Sequence, residues 1–531
     1  DGGNYFWWIP GPVTIHRALL TAFIRNNPTV GGVGSLDPAS TYKDPRKSLM
    51  CKVTWALNKL IPVSEPGGGF SEIRGSWAII NWYNLLARHA FTNYADLLEE
   101  VTYNVSMARM LTHLRNQKSD ETGRQPDENY AREIMQLFSI GLYKLNIDGS
   151  YQLDENNNRI ANYTNQDILG LSRVFTGLTR FDRPDSEYYS TSTSALNQMN
   201  GGGVFLDNVF GLSFLDTNTV YGIKKPAKYI KKGRVYRIAT LDPSTDFSTF
   251  GAGSSAGVGT IFTATKSGDA FSGIGEIEEQ RIYPPGVFPR LKHYVPWYET
   301  GSKVLPNVGI SIPENTDPET NIRMAIEGLV NHPSCAPNIC KNLIKLTVTS
   351  NPSPGYISRV ASIFKNNGKG VVGDMAAVWM AIFTDPEAQL TSSSSVKKGR
   401  IRDGFEVFCN LHRSLDAISV ISPDPLDPTN ATNTGDDLYF GGTYQSSNFS
   451  GLIQESNQFG NLGTWPFMSP SVFSYYSLEY SISPAIDWGV LVPEIGSLPA
   501  NTLILALNKL QDSISNRDPI DYRAVISGGG N

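Results

Sequence analysis

Apolar residues in the first third of this chain recur at helical spacing. Residues 12–30 carry a short amphipathic helix, and 44–62 carry another whose expected buried set is Met50, Val53, Trp55, Ala56 and Leu60. A strongly apolar helix follows over 73–93, and then a helix or helix pair up to residue 116. From Pro126 to Asp182 the pattern predicts helix, polar hairpin, helix. The first helix has Asp127 as its cap, Ala131, Ile134, Met135, Leu137, Phe138 and Leu142 as its stripe, and Gly141 as its stop. The IDGS and DENNNR turn clusters flank a hairpin-like pair, Ser150–Leu153 with Arg159–Tyr163. Thr164 or Asn165 caps the second helix, Ile168, Leu169, Leu171, Val174 and Phe175 form its stripe, and Gly177 closes it.

The texture changes at Asp182. Residues 183–290 are rich in Gly, Ser, Thr, Tyr and Asp, and GRVYRIATL, GTIFTATK and IGEIEE read as strands. Helical periodicity returns at Asp317 and runs to Thr384-Asp385-Pro386-Glu387. A further helix is expected from Ile401, an exposed loop over 421–450, and a last helix over 499–515. The pattern therefore predicts a mainly α protein, a large multi-helix body with an inserted small β domain. Its parts are an N-terminal helical region (1–182), a β-rich insertion (183–290) and a C-terminal helical region (291–531) that packs with the first.

Composition changes this picture little. The chain has 531 residues, 40% hydrophobic and 18% charged, with a formal net charge of −5, which suits a globular protein of low charge. Its basic residues are dispersed apart from KYIKKGR at 228–234, so no nucleic-acid partner is expected. No apolar run reaches the roughly 20 residues of a membrane span. The abundance of Gly, Ser, Thr and Asn over Lys and Glu points to an extracellular surface. The first residue is not Met, which a processed or truncated N-terminus explains. Sequons at Asn104, Asn162, Asn430 and Asn448 are glycosylation candidates.

Candidate chemistry centres on the first helix of the 126–182 unit. Glu128 and Arg132 stand four apart and share a face, which predicts an ion pair. A sharper alternative is a partly buried network in which Arg132 ties this helix to the acidic start of the second, around Asp167, with Glu128, Glu133 or Asp167 among its partners. Those four residues are the candidate catalytic set. His89 and His113 are potential proton carriers, though a lone helical His is more often structural. The Ser-His-Asp, GxSxG and HExxH arrangements are not found, and GAGSSAGVG lacks the Lys-[ST] of a phosphate loop. Oxygen ligands are dense in 148–158, but their spacing is not that of an EF-hand, and turn chemistry accounts for them. No metal or other cofactor is expected. Cys51, Cys335, Cys340 and Cys409 show no zinc-type spacing. Cys335 and Cys340 either bridge a small loop at a helix start or remain buried thiols, since within a helix they would point about 140° apart.

The stretches ENYAREIMQLFSIG and YTNQDILGLSRVFTGL resemble the signature of the family catalogued as domain of unknown function 1800. Leu178 stands where that family often has Trp. The resemblance extends through the flanking helices, the Thr-Asp-Pro-Glu phrase and PSVFSYY, and implies a helical fold without an established activity. Residues of about 228–279 resemble a small β module of phage tail and surface proteins, which implies an appended, outward-facing unit.

The expectation is a secreted or surface structural or assembly protein, without established catalytic activity, that associates with itself or with other surface proteins. The alternative is a secreted hydrolase with a carboxylate and arginine site near the ENYARE helix.

Overall fold

The computed structural model describes residues 45–64, 82–83, 85–179, 218–230, 232, 234–268, 273–283, 291–389 and 399–406, with short pieces at 418–419, 469, 472–474, 477–479 and 520–521. Among these residues 43% are helical and 12% are strand, and the sheets are small, so the protein is mainly α. The helices expected over 12–30 and 499–515, and the loop over 421–450, lie outside the described residues.

Helix α1 (Pro45–Leu60) buries Val53, Trp55, Ala56 and Leu60, four of its five expected positions. The predicted helix pair is α2 (Tyr94–Thr102) and α3 (Val105–Met110), capped by the side chains of Asn93 and Asn104. The 126–182 unit follows as α4 (Asn129–Gln136) and α5 (Asn165–Ser172), joined by bridges Tyr143–Ala161, Leu145–Tyr151 and Leu153–Arg159. The hairpin therefore gains a third segment, 143–145. Its turns are made by Asp148, which accepts from Ser150, and Asp154, which accepts from the amides of Asn156 and Asn158. Gly141 ends the first helix in left-handed backbone (φ +75°), with its N–H on the Met135 carbonyl. Leu142 and Leu169, both expected inside, are 44% and 39% exposed.

Between residues 317 and 389 the helices are α6 (Pro318–Asn331), α7 (Cys335–Thr347), α8 (Pro354–Lys365), α9 (Met375–Thr384) and the single turn α10 (Pro386–Gln389). Asp317 caps α6 through the Thr320 amide. In the Thr-Asp-Pro-Glu phrase, Asp385 holds Arg359 through both of its oxygens, and Glu387 accepts from the backbone and hydroxyl of Ser353. The phrase thereby ties the end of α9 to the start of α8.

One apolar cluster draws on both sides of the chain, including Trp55, Tyr94, Tyr130, Phe138, Leu305, Ile326, Tyr356 and Trp379. Two of its aromatic polar ends reach backbone carbonyls, Tyr94 that of Phe138 and Trp379 that of Ala90, both at 2.7 Å. Strands β1 (Leu178–Thr179) and β6 (Lys292–His293) pair antiparallel, which brings residues 178–179 and 292–293 side by side. A hairpin of β7 (Lys303–Leu305) and β8 (Ile310–Ile312) adds strand to the 291–531 region, ahead of the helical periodicity that returns at Asp317. Gly170 of α5 lies so near the Val304 carbonyl that a Cβ there would approach it to 2.7 Å.

Between β1 and β6 lie β2 (Asn218–Pro226), β3 (Val235–Thr240), β4 (Ile261–Thr263) and β5 (Glu276–Tyr283), an antiparallel sheet in the order β2-β5-β3-β4. Tyr236, Ile238, Phe247, Phe250, Phe262 and Ile277 form an apolar cluster of its own. Three strands were legible in the sequence; β2 was not, because Gly222 and Pro226 interrupt its alternation.

Candidate functional site

Helix α4 displays its polar residues on two faces, and the difference decides their roles. Asp127, one position before the formal cap, accepts from the Asn129 amide and the Thr112 hydroxyl, both at 2.9 Å. Tyr130, Ala131, Ile134 and Met135 point inward and are fully buried. Glu128 and Arg132 point outward and pair at 3.0 Å, their side chains 37% and 42% exposed. The ion pair is as expected. The buried Arg132 network is not, because 132 falls on the solvent side of a helix whose inner stripe is 130, 131, 134 and 135.

Asp167 does not join Arg132. It is fully buried at the start of α5, where its carboxylate accepts from the Thr164 amide (2.8 Å) and hydroxyl (2.9 Å) and from the Asn307 amide (3.0 Å) and side chain (2.8 Å). Burial disfavours its charge, yet these hydrogen bonds from Thr164 and Asn307 prevail and hold the carboxyl below its ordinary range. Its work is to cap α5 and to fasten the β7–β8 turn. The capping pattern Thr-x-x-Asp was visible in the sequence; the Asn307 partner, 140 positions away, was not.

Glu133 behaves differently. It is 6% exposed, and its Oε2 is buried with no hydrogen-bond partner. The Tyr163 hydroxyl, just before α5, is likewise buried and unpartnered. Burial raises the Glu133 pKa, against the pull of Arg132. Burial and then the Glu133 charge push the Tyr163 phenol up to about 12. A carboxyl that burial biases toward its protonated form, beside an unsatisfied phenol, has the means to take up or give up a proton. Of the four candidates, Glu133 alone is not spent on an ion pair or a cap.

His113 is fully buried. Its Nε2 lies 2.9 Å from the Thr102 carbonyl, its ring stacks on Tyr130 at 3.9 Å between centroids, and burial lowers its pKa to about 4. It is a neutral core histidine. His89 bonds Thr92 through Nδ1 at 3.0 Å. Among the described residues no group of three or more His, Cys, Asp or Glu side chains is placed to hold a metal ion.

Of the two readings of Cys335 and Cys340 the buried thiols hold, and two glycosylation candidates need correction. Cys335 and Cys340 are buried thiols inside α7 and are not bridged; burial raises both well above the ordinary thiol range. The helix aims them apart, and no loop forms between them. Asn104 and Asn162 are 6% and 0% exposed. Asn104 caps α3, while Asn162 donates to the carbonyls of Ile140, Gly141 and Tyr143 and accepts from the Ser334 hydroxyl. In the folded protein neither offers its nitrogen to a glycan. Asn430 and Asn448 lie outside the described residues.

Ion pairs between distant segments are what sequence reasoning missed. Arg323 of α6 binds Asp96 and Glu99 of α2 and Glu327 on its own helix. Arg234, just before β3, binds the same Asp96 oxygen at 2.5 Å. Lys59, 1% exposed, donates to Asp403 at 2.8 Å, and Lys345, 1% exposed, to Glu479 at 2.7 Å. Apart from Arg323–Glu327, these pairs join positions at least 134 residues apart, so no local pattern announces them.

No helix among the described residues is long and apolar enough to cross a membrane. No curated protein and no solved structure matches the chain. The profile of one family does match, over residues 44–211 and 276–486, and the unmatched stretch between these segments holds β2, β3 and β4 with their loops. Covering most of the chain, that match places this protein in the family described as "Protein of unknown function (DUF1800)".

Proposed function

We propose that this protein is a structural component of an extracellular or cell-surface assembly, in which the helical body holds out the 218–283 sheet as a contact element. The observation that carries this reading is the Asp96 carboxylate, which receives Arg323 from the body and Arg234 from the sheet on one oxygen. Such a shared charge ties the sheet to the helical body. The paired entry and exit strands β1 and β6, and the unmatched stretch in the family profile, support reading 183–290 as an inserted domain. Its resemblance to modules of phage tail and surface proteins accords with an outward role. Val258, Ile261 and Ile274 are 65%, 53% and 71% exposed on this sheet and its loops, and apolar groups left in water favour a contact. The contact envisaged is with another copy of this chain or another surface protein.

Sedimentation of the full chain over a range of concentrations tests the proposal, with Val258→Asp/Ile274→Asp as the comparison. Concentration-dependent association that the double variant weakens is the expected result. A wild-type chain that stays monomeric at high concentration, and forms no assembly in its native source, ends the proposal.

A second reading, a secreted hydrolase, is favoured by Glu133 and Tyr163 alone. It requires a hydrolytic activity that Glu133→Gln abolishes while the melting temperature is retained.

A further inference from the structure

Lys303 carries a buried amine that no ion pair explains. It is 1% exposed, and among the described residues no carboxylate lies within ion-pair distance of it. Its Nζ donates to the Glu299 carbonyl and approaches the Tyr298 hydroxyl at 3.4 Å, standing 4.8 Å from the centre of the Tyr298 ring. Asn321, near the start of α6, is 0% exposed. Its Nδ2 donates to that same Tyr298 hydroxyl, and its Oδ1 is buried with no partner. The hydroxyl gives its own proton to the Thr316 carbonyl at 2.8 Å, so it meets both nitrogens as an acceptor. A lysine amine and an asparagine carboxamide thus converge on one oxygen, at a place closed to water.

We propose that Lys303 and Asn321 join in an intramolecular isopeptide bond. The neutral Nζ attacks Cγ of Asn321 and forms the new C–N bond. One Nζ proton passes to Nδ2, the Cγ–Nδ2 bond breaks, and ammonia leaves. No oxidant or reductant is required. Burial, helped by Arg173 and opposed by Glu299, brings the Lys303 pKa down to about 8, so the attacking neutral amine is accessible near neutral pH. The product replaces a buried ammonium, costly to keep without a counter-charge, with a neutral amide. It also welds β7 to α6.

The test is the intact mass of the folded full-length chain, followed by peptide mapping. The expected mass is one ammonia below that of the sequence, with the peptides containing Lys303 and Asn321 recovered as a single branched species. Lys303→Met and Asn321→Ala should each return the chain to the full mass of its sequence. A full wild-type mass overturns the proposal. So does the loss of one ammonia with the two peptides unlinked, since an asparagine succinimide would account for it.

Discussion

Arg234 Nη1 lies 2.5 Å from Oδ1 of Asp96, the oxygen that Arg323 Nη2 reaches at 2.8 Å. The sheet and the helical body are therefore energetically linked at one carboxylate. In a double-mutant cycle, Arg234→Ala and Asp96→Ala should be non-additive, with a coupling of about 1 kcal/mol or more. Arg323→Met should be costlier, about 3–5 kcal/mol, because it leaves the buried Glu99 carboxylate without its Arg323 counter-charge. Denaturant unfolding of the four variants of the cycle and of R323M reads both. Strict additivity of Arg234 and Asp96 would mean that the link carries no energy.

Arg132→Ala should be nearly silent. The pair with Glu128 is solvent-exposed on one helix face, and such pairs are worth about 0.3–0.5 kcal/mol. A loss several times larger in chemical denaturation would show that Arg132 has a partner beyond Glu128.

Glu133→Gln should become more favourable, relative to wild type, as the pH rises. The folded carboxyl has a raised pKa, so the native state holds its proton more tightly than the unfolded chain does. Its contribution is fully present below the ordinary carboxylate value of 4.5 and is lost as pH climbs through the folded value. Gln carries no charge and escapes that loss. Melting temperatures of both proteins at pH 4 and pH 7.5 measure the difference, and an equal gap at the two pH values contradicts the assignment.

Acid should weaken the fold through His113. Its folded pKa is near 4 against an ordinary 6.5, so the unfolded chain takes up a proton that the native state refuses. The stability this provides is intact above pH 6.5 and is lost as pH falls toward 4, by a few kcal/mol at most. His332, lowered to about 4 by burial and then Lys144, adds in the same sense. His113→Phe, which keeps the stacked ring, should flatten the pH dependence of unfolding between those limits. An unchanged slope would mean that other groups set it.

What the sequence by itself determined is what short spacing controls. The stripe Ala131, Ile134, Met135 and Phe138, the Thr164–Asp167 cap, the stops at Gly141 and Gly177 and the strands around Val235, Ile261 and Ile277 are all written within a few residues of one another. The Glu128–Arg132 pair was legible for the same reason, one helical turn separating its members. Burial was not. Whether Arg132 faces water or Asp167, and whether Leu142 and Leu169 face the core, depends on which surface each element turns toward partners that come later in the chain. The tertiary structure alone decided that Asp167 meets Asn307, that Asp96 collects Arg234 and Arg323, that Glu133 is left without a donor beside Tyr163, and that Lys303 and Asn321 share the Tyr298 hydroxyl. A charge confers stability or cost according to what surrounds it once water is excluded, and those surroundings exist only when segments far apart in the chain have packed.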